Sequence, residues 1–182
     1  VLIVNEFDLS LGYLLGFCMM LGAWMSKVGF STGVIIPAML LASAGAGLVS
    51  GIMTVKCKVS SFISTLAVGI TLSGFTTGLS GGSVLSRNIP TAIINVGQQR
   101  FIGVGYCVWV MLFLLGIMYY VLEHTTFGRS LYAVGGSEWV AFQGGIKTDR
   151  VRILVFVLAG FFTGVAAVSQ LGQSGSANPS YG

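Results

Sequence analysis

The chain has 182 residues, of which 54% are apolar and only 8% charged, and its mean hydropathy is +0.91. Soluble domains carry charge at about a quarter of their positions, so this composition excludes a water-soluble globular fold and indicates an integral membrane protein. The net charge of +4 comes from scattered basic residues that form no basic stripe with interleaved aromatic residues, so we predict no nucleic-acid partner.

Five apolar segments follow one another along the chain, and each meets the length needed to cross a bilayer core of about 30 Å as a helix. Backbone groups in lipid must be hydrogen-bonded internally, and these segments lack the polar alternation of barrel strands. We therefore predict an all-α polytopic transmembrane helix bundle. The predicted spans are residues 9–26, 33–55, 60–86, 101–122 and 151 or 153 to 171, and the third is predicted either to span or to re-enter. Since the chain begins at Val1 and ends in a loop-like stretch, we expect a fragment truncated at both ends.

Basic residues predict the orientation. If the spans alternate, the turn near Cys57 and the connection 123–152 share one side, and the positive-inside rule makes that side cytoplasmic. A re-entrant third segment would invert part of this count. The first side holds Lys56, Lys58, Arg129, Lys147, Arg150 and Arg152, and the other side holds Lys27, Arg87 and Arg100.

Small residues recur at four-residue spacing, which allows helix backbones to approach closely in lipid. We interpret the spacing as packing within the bundle and infer no dimer from it. The residues are Gly12 and Gly16; Ser43, Gly47 and Gly51; and Gly160 and Gly164.

Hydroxyl side chains follow one face of the third segment. Ser73, Thr76, Thr77 and Ser80 have i, i+3, i+4, i+7 spacing, and Thr65 extends roughly the same face. Such a face suits the passage of a neutral polyol, which needs hydrogen-bond partners without strong charge. Alternatively, each hydroxyl bonds the carbonyl of residue i−4 in its own helix.

Asp8 lies where the first apolar segment begins. A carboxylate at the bilayer centre costs about 2.5 to 3.5 kcal/mol, so Asp8 is expected at a helix end or facing protein or water. It is predicted either to be the N-cap of the first span or to line a path or gate.

The connection 123–152 is long and contains several aromatic residues. Ser137 is predicted to be the N-cap of a short helix, with Glu138 in its first turn. Exposed Trp139 and Phe142 suit docking to a soluble partner. Alternatively, this helix lies among lipid headgroups.

The connection 81–100 lies on the opposite side. Pro90 is predicted to start a short helix through Val96. This connection either receives a partner or caps the bundle.

No residue pattern predicts catalysis or a bound cofactor. The stretch 145–148 lacks the spacing of a nucleotide loop, and no pair of carboxylates lies within a span. Three dispersed cysteines and a single histidine predict neither a disulfide framework nor a zinc site. Transport by such a chain would need a gradient or a partner for energy.

Three stretches carry motifs of a known family. Residues 6–12 (E-F-D-L-S-L-G) are similar to G-G-I-D-L-S-V-G, and residues 59–66 (V-S-S-F-I-S-T-L) to V-P-x-F-I-x-T-L. Residues 125–137 are similar to T-x-F-G-R-x-(I/L)-Y-A-(I/V)-G-G-N, and Ala141 and residues 144–146 follow as that motif expects. Over almost its whole length the chain thus resembles the ribose and simple-sugar permease family of binding-protein-dependent ABC importers.

The resemblance implies a single transmembrane permease domain over 1–182, in the bacterial cytoplasmic (inner) membrane, that moves a sugar-like solute. It implies that 123–152 is a cytoplasmic coupling loop docked on an ATPase subunit, which holds ATP-Mg while this chain binds no cofactor. Further implied partners are an extracytoplasmic solute-binding protein, a second permease copy and membrane lipid. The implied coupling residues are Thr126, Phe127, Gly128, Arg129, Tyr132, Gly135, Gly136, Trp139, Ala141, Phe142 and Gly145. The candidate translocation path comprises Asp8, Ser10, Phe62, Thr65, Ser73, Thr76, Thr77 and Ser80.

Departures from the family motifs leave the solute open. Asn5 and Glu6 replace the two glycines, Ser61 the proline, Ser137 the usual asparagine and Val140 the first alanine. Two other functions remain as alternatives: a gradient-driven secondary transporter, and a membrane scaffold whose long connection recruits a cytoplasmic protein.

Overall fold

A computed structural model describes residues 1–86 and 89–181. After a short 3-10 helix (Leu2–Val4), it contains α1 (Leu11–Val28), α2 (Thr32–Val55), α3 (Ser61–Ser80), α4 (Thr91–Gln98), α5 (Tyr106–His124), α6 (Thr126–Gly136), α7 (Glu138–Gln143) and α8 (Thr148–Ser174). An antiparallel pair of two-residue strands, β1 (Arg100–Phe101) and β2 (Val104–Gly105), precedes α5.

Within the described residues, α1, α2, α3, α5 and α8 are long and apolar enough to cross a membrane. This confirms the predicted all-α polytopic bundle and its five spans. The third segment is one uninterrupted helix of 20 residues. It ends earlier than the predicted 60–86 because Gly81 and Gly82 adopt positive φ angles of 59° and 75°.

Contacts between connections define the two ends of the bundle. At one end Lys56, after α2, pairs with Asp149 at the start of α8, with 2.7 Å between Nζ and Oδ2. At the other end Leu85, after α3, pairs its backbone with that of Ala177, after α8. The turn near Cys57 and the connection between α5 and α8 therefore share one end, as predicted. Arg87, which we counted at the opposite end, lies outside the described residues.

The core lies between α1, α2 and α8, where Leu14, Met19, Met39, Phe156 and Leu171 are buried. At the α2–α8 contact the predicted small residues meet. A Cβ atom on Gly47 would overlap the carbonyl of Phe156, and one on Gly160 would overlap the carbonyl of Ser43. The spacing therefore did predict close helix packing, because the absence of side chains lets the two backbones touch.

Two connecting segments differ from the sequence-based boundaries. The fourth predicted span, 101–122, begins only at Tyr106, because Ile102 and Gly103 adopt φ angles of 54° and 77° and turn the chain into the β1–β2 hairpin. The helix predicted from Pro90 to Val96 is confirmed as α4, with Pro90 as its N-cap. It packs against the C-terminal part of α8, where Gly97 and Gly172 bring the two backbones together.

Candidate functional site

The connection between α5 and α8 is mostly helical rather than loop. The predicted helix at Ser137 is confirmed as α7, since the Ser137 Oγ accepts the N–H of Val140 at 3.4 Å. α6 was not predicted, because its three glycines lower helix propensity. Its signal was the i, i+4, i+7 spacing of Phe127, Leu131 and Val134, which form its apolar face.

This apolar face anchors α6 to the bundle. Leu131 and Val134 are buried together with Val4, Val151 and Val155. At the start of α6 the side chain of Thr125 caps the helix by accepting the N–H of Gly128 at 3.3 Å. The position of α6 is therefore set by the first residues of the chain and by α8.

The aromatic residues of α6 and α7 remain largely exposed. Trp139 is 69% exposed, Phe142 67% and Tyr132 50%, whereas Ala141 of α7 is buried. We call Tyr132, Trp139 and Phe142 the aromatic surface. Exposed aromatic side chains fit both predicted roles, docking to a soluble partner and contact with headgroups.

The remaining predicted coupling residues occupy different environments. Thr126, Arg129, Gly136 and Gly145 are exposed and Phe127 is half-buried. Gly128 and Gly135 mark close approaches: a Cβ atom on the first would overlap the carbonyl of Leu122, and one on the second the carbonyl of Ile3.

The three motif-bearing stretches meet at this end of the bundle. The Nδ2 of Asn5 donates to the carbonyl of Gly135 at 2.8 Å, which links the first residues to α6. The backbone N–H of Phe7 donates to Ser61 Oγ at 3.2 Å. The backbone N–H of Leu9 donates to Thr65 Oγ1, also at 3.2 Å. The non-helical segment 6–10 therefore lies along α3, whose hydroxyls satisfy backbone donors that would be costly to leave unpaired in a membrane.

The N-cap of α1 is Ser10, so the prediction that Asp8 is the N-cap was wrong. The Oδ1 of Asp8 instead accepts the N–H of Ser10 at 2.9 Å and its hydroxyl at 2.6 Å. Asp8 thus lies two residues before the N-cap position, and its carboxylate forms a local turn with the residue at i+2 instead of capping the helix. It is half-buried, whereas Ser10 is buried.

An ionic cluster that we did not predict lies beside this segment. Arg152 of α8 donates from Nη1 to Glu138 Oε1 at 2.7 Å and from Nε to Glu6 Oε1 at 3.0 Å, and its Nη2 also contacts Glu6. A polar cavity of about 550 Å³ opens next to the cluster, with Lys58 and Ser60 in its walls. Alternation of the spans puts these charges at one end, but it says nothing about which side chains pair.

The predicted path residues do not form one site within this chain. Asp8, Ser10 and Thr65 lie together, whereas Ser80 is 15 positions further along α3, or about 22 Å. The alternative prediction, that each hydroxyl bonds the carbonyl of residue i−4, holds for the three threonines. Thr65, Thr76 and Thr77 donate to the carbonyls four residues earlier at 2.7, 2.8 and 3.1 Å, and Ser80 donates to the carbonyl of Thr77 at 3.1 Å. Thr65, Thr76 and Ser80 are buried, Ser73 is half-buried, and Thr77 and Phe62 are exposed.

The bundle of spans and the helical connection between α5 and α8 define a multi-pass membrane protein. The family model described as branched-chain amino acid transport system permease component matches residues 1–182. The chain belongs to this family.

Curated relatives are permease proteins named for ribose, autoinducer 2 and L-arabinose. The chain is 30% identical to the ribose import permease protein RbsC of Escherichia coli over its whole length, and it covers 58% of that protein. It is 28% identical to the autoinducer 2 import system permease protein LsrC of Escherichia coli, over 96% of the chain and 51% of the relative. It is 29% identical to the L-arabinose ABC transporter permease protein AraH of Azospirillum brasilense, over 92% of the chain and 49% of the relative. The resemblance seen in the motifs is thus confirmed, although the chain spans only about half the length of these relatives.

A comparison with the solved structures finds no match.

Proposed function

We propose that the protein is the membrane-spanning permease subunit of an ABC importer that moves a sugar-like small solute, powered by a separate ATPase subunit. Family membership and the names of the relatives support this proposal. The observation that carries it is the helical connection between α5 and α8, which exposes Trp139 and Phe142 at one end of the bundle.

In this proposal the segment 123–152 is the cytoplasmic coupling loop of a single permease domain. The ATPase docks on the aromatic surface and holds ATP-Mg, while this chain binds no cofactor. α6 packs against Val4 of the 3-10 helix and Val155 of α8. A displacement of the docked helices would therefore be transmitted to the 3-10 helix and to α8. The ATPase shifts the equilibrium between inward and outward states only through contacts that differ between them.

The other partners follow from the same proposal. A second permease copy, identical or not, completes the path, and an extracytoplasmic binding protein delivers the solute at the end that carries α4 and the β1–β2 hairpin. The protein resides in the bacterial inner membrane, surrounded by lipid. We call the end of the bundle that carries α6 and α7 the coupling end. Asp8, Ser10, Phe62 and Thr65 would border the path near the coupling end. Ser73, Thr76, Thr77 and Ser80 would border it further toward the other end.

The test uses the full-length protein purified with whatever ATPase and solute receptor accompany it. The complex is reconstituted in liposomes, and uptake of labelled ribose, L-arabinose and autoinducer 2 is measured with ATP and with a non-hydrolysable analogue. We expect uptake that requires both the ATPase and hydrolysable ATP. Uptake by the permease alone, driven by an ion gradient, would establish the secondary transporter instead. Solute uptake in cells that is unchanged after deletion of the gene would favour the scaffold.

A further inference from the structure

A continuous series of polar contacts runs from α7 to α3 through Arg152. At its α7 end, Glu138 in the first turn accepts from Nη1 of Arg152 at 2.7 Å. The same guanidinium bonds Glu6 through Nε at 3.0 Å and contacts it through Nη2. One side chain of α8 thus holds α7 and the segment before α1 together, although Glu6 and Arg152 are 146 residues apart in the chain.

Beyond Glu6 the series continues along the backbone. The N–H groups of Phe7 and Leu9 donate to Ser61 and Thr65, both at 3.2 Å. Alternate N–H groups of an extended chain point to the same side, and hydroxyls four residues apart lie on one face of a helix. The segment 6–10 is therefore attached to α3 at two points one helical turn apart.

Burial distinguishes Arg152 from the other ion pair at this end. The Arg152 side chain is 19% exposed and that of Glu6 10%, against 61% and 50% for Lys56 and Asp149. Exposed pairs contribute little, whereas loss of one member of a buried pair leaves a charge that must find another partner. The Arg152 contacts therefore constrain the relative positions of the elements they join, and the Lys56–Asp149 contact does so weakly.

We propose that Arg152 is a positioning residue that transmits a displacement of α7 to the segment 6–10 and to α3. This inference rests on the proposed function, in which α7 belongs to the surface that the ATPase displaces. Its guanidinium fork bonds two carboxylates at once, so α7 cannot move relative to α8 without breaking the Glu138 bond or shifting Glu6. A shift of Glu6 carries the segment 6–10 and, through its two hydrogen bonds, the N-terminal turn of α3.

The experiment follows the accessibility of the start of α3, without need of a known solute. Ser60, the residue before α3, lies in the wall of the polar cavity and makes no side-chain capping bond, so Ser60→Cys provides a labelling site. The exposed Cys57 and the half-buried Cys107 are replaced by serine. Maleimide labelling rates are compared in the full-length permease–ATPase complex without nucleotide and after trapping with ATP and vanadate.

We expect trapping to change the labelling rate, and Glu138→Gln to reduce that change by about fivefold or more. Glu138→Gln leaves the buried Arg152–Glu6 pair in place, so the bundle folds. Asp149→Asn, which removes only the exposed pair at the same end, is the matched control and keeps the full response. Arg152→Gln should abolish the response, and Arg152→Lys, which keeps the charge without the fork, should restore part of it.

Two results would overturn the inference. One is a labelling rate that does not respond to trapping in the background with Glu138 intact, and the other is an unchanged response in Glu138→Gln. In either case a complex that still takes up solute with ATP leaves the proposed function standing, and only the role of Arg152 fails. If no ATPase associates and no ATP-dependent uptake occurs, the proposed function itself is wrong.

Discussion

At the scale of single residues, the packing of the coupling end depends on positions where a side chain would overlap a neighbouring backbone. Gly135 is an example, because α6 lies so close to the first residues of the chain that a Cβ atom there would overlap the carbonyl of Ile3. Gly136, the next residue, has open space around its Cα. Of these two neighbouring glycines of the motif, only Gly135 therefore has a steric reason to be glycine.

We predict that Gly135→Ala destabilises the full-length protein by about 1 to 3 kcal/mol, since the added methyl group overpacks this contact. It should also uncouple ATP hydrolysis from uptake, because the 3-10 helix must move away from α6. Thermal unfolding in detergent and uptake per ATP hydrolysed measure the two effects. Gly136→Ala is the matched control for stability and should change it by less than about 0.5 kcal/mol. Equal melting temperatures for the two variants would contradict the close approach.

Thr65 provides a second residue-scale prediction. Its hydroxyl accepts the N–H of Leu9 as well as donating to the carbonyl of Ser61, so Thr65→Val leaves a backbone donor unpaired. We expect a loss of about 1 to 3 kcal/mol in stability. The exposed Thr71 donates to the carbonyl of Ala67 at 2.8 Å in the same helix, and Thr71→Val should be nearly neutral. If denaturation midpoints show equal losses, Thr65 does not hold the segment 6–10.

At the scale of elements, the contact between α2 and α8 organises the bundle. Gly47, Gly160 and Gly164 allow the two backbones to touch, and Ser43 contributes its carbonyl and hydroxyl at the same place. In lipid such contacts gain dispersion energy and not hydrophobic exclusion, so their strength depends on how closely the surfaces fit.

We predict that Gly47→Ala separates α2 from α8 and destabilises the protein by about 1 to 3 kcal/mol, although alanine favours the helix by about 1 kcal/mol. Gly45, two residues earlier in α2, faces open space, so Gly45→Ala should be neutral or slightly stabilising. Thermal unfolding of both variants, solubilised in the same detergent, checks the difference. A less stable Gly45→Ala variant would mean that α2 packs through another face.

At the scale of the whole molecule, the two ends of the bundle are built differently. The coupling end brings together the first residues, the start of α3, α6 and α7, with all five acidic residues of the chain. The opposite end consists of α4, the β1–β2 hairpin and the residues after α8. Between them, none of the residues of α5 is buried within the described part of the chain.

Because the aromatic surface lies at one end of the bundle and outside its core, we predict that substitutions there weaken ATPase binding and leave the stability of the bundle unchanged. We expect Trp139→Ala combined with Phe142→Ala to weaken ATPase binding by about 2 kcal/mol or more, roughly 30-fold, without loss of stability, because both side chains are exposed. Titration of the ATPase onto the reconstituted permease measures this affinity. Ile102→Ala, at the opposite end and 76% exposed, should leave it unchanged.

An unchanged affinity in the double variant would favour contact of these side chains with lipid headgroups.

Arg129 is exposed on α6, and we expect Arg129→Ala to uncouple ATP hydrolysis from uptake while membrane insertion remains intact. Normal uptake by this variant would argue against coupling through α6.

The five spans, the presence of closely packing small-residue faces and the helix at Ser137 were predictable from sequence because hydropathy, small-residue spacing and capping act between residues close together in the chain. That these faces join α2 to α8 was shown only by the structure. The motifs also located the stretches that meet at the coupling end. α6 was missed because its glycines conceal an apolar face, and the N-cap of α1 was assigned two residues too early because Asp8 reaches forward to Ser10.

The pairing of distant groups was decided by tertiary structure alone. Glu6 finds Arg152 and the N–H groups of Phe7 and Leu9 find Ser61 and Thr65 across 54 to 146 positions of chain. The sequence by itself determined which groups are polar and at which end of a span they lie. Which of them bond depends on how the helices pack, because burial removes water as the competing partner and leaves only the group that the fold places within reach.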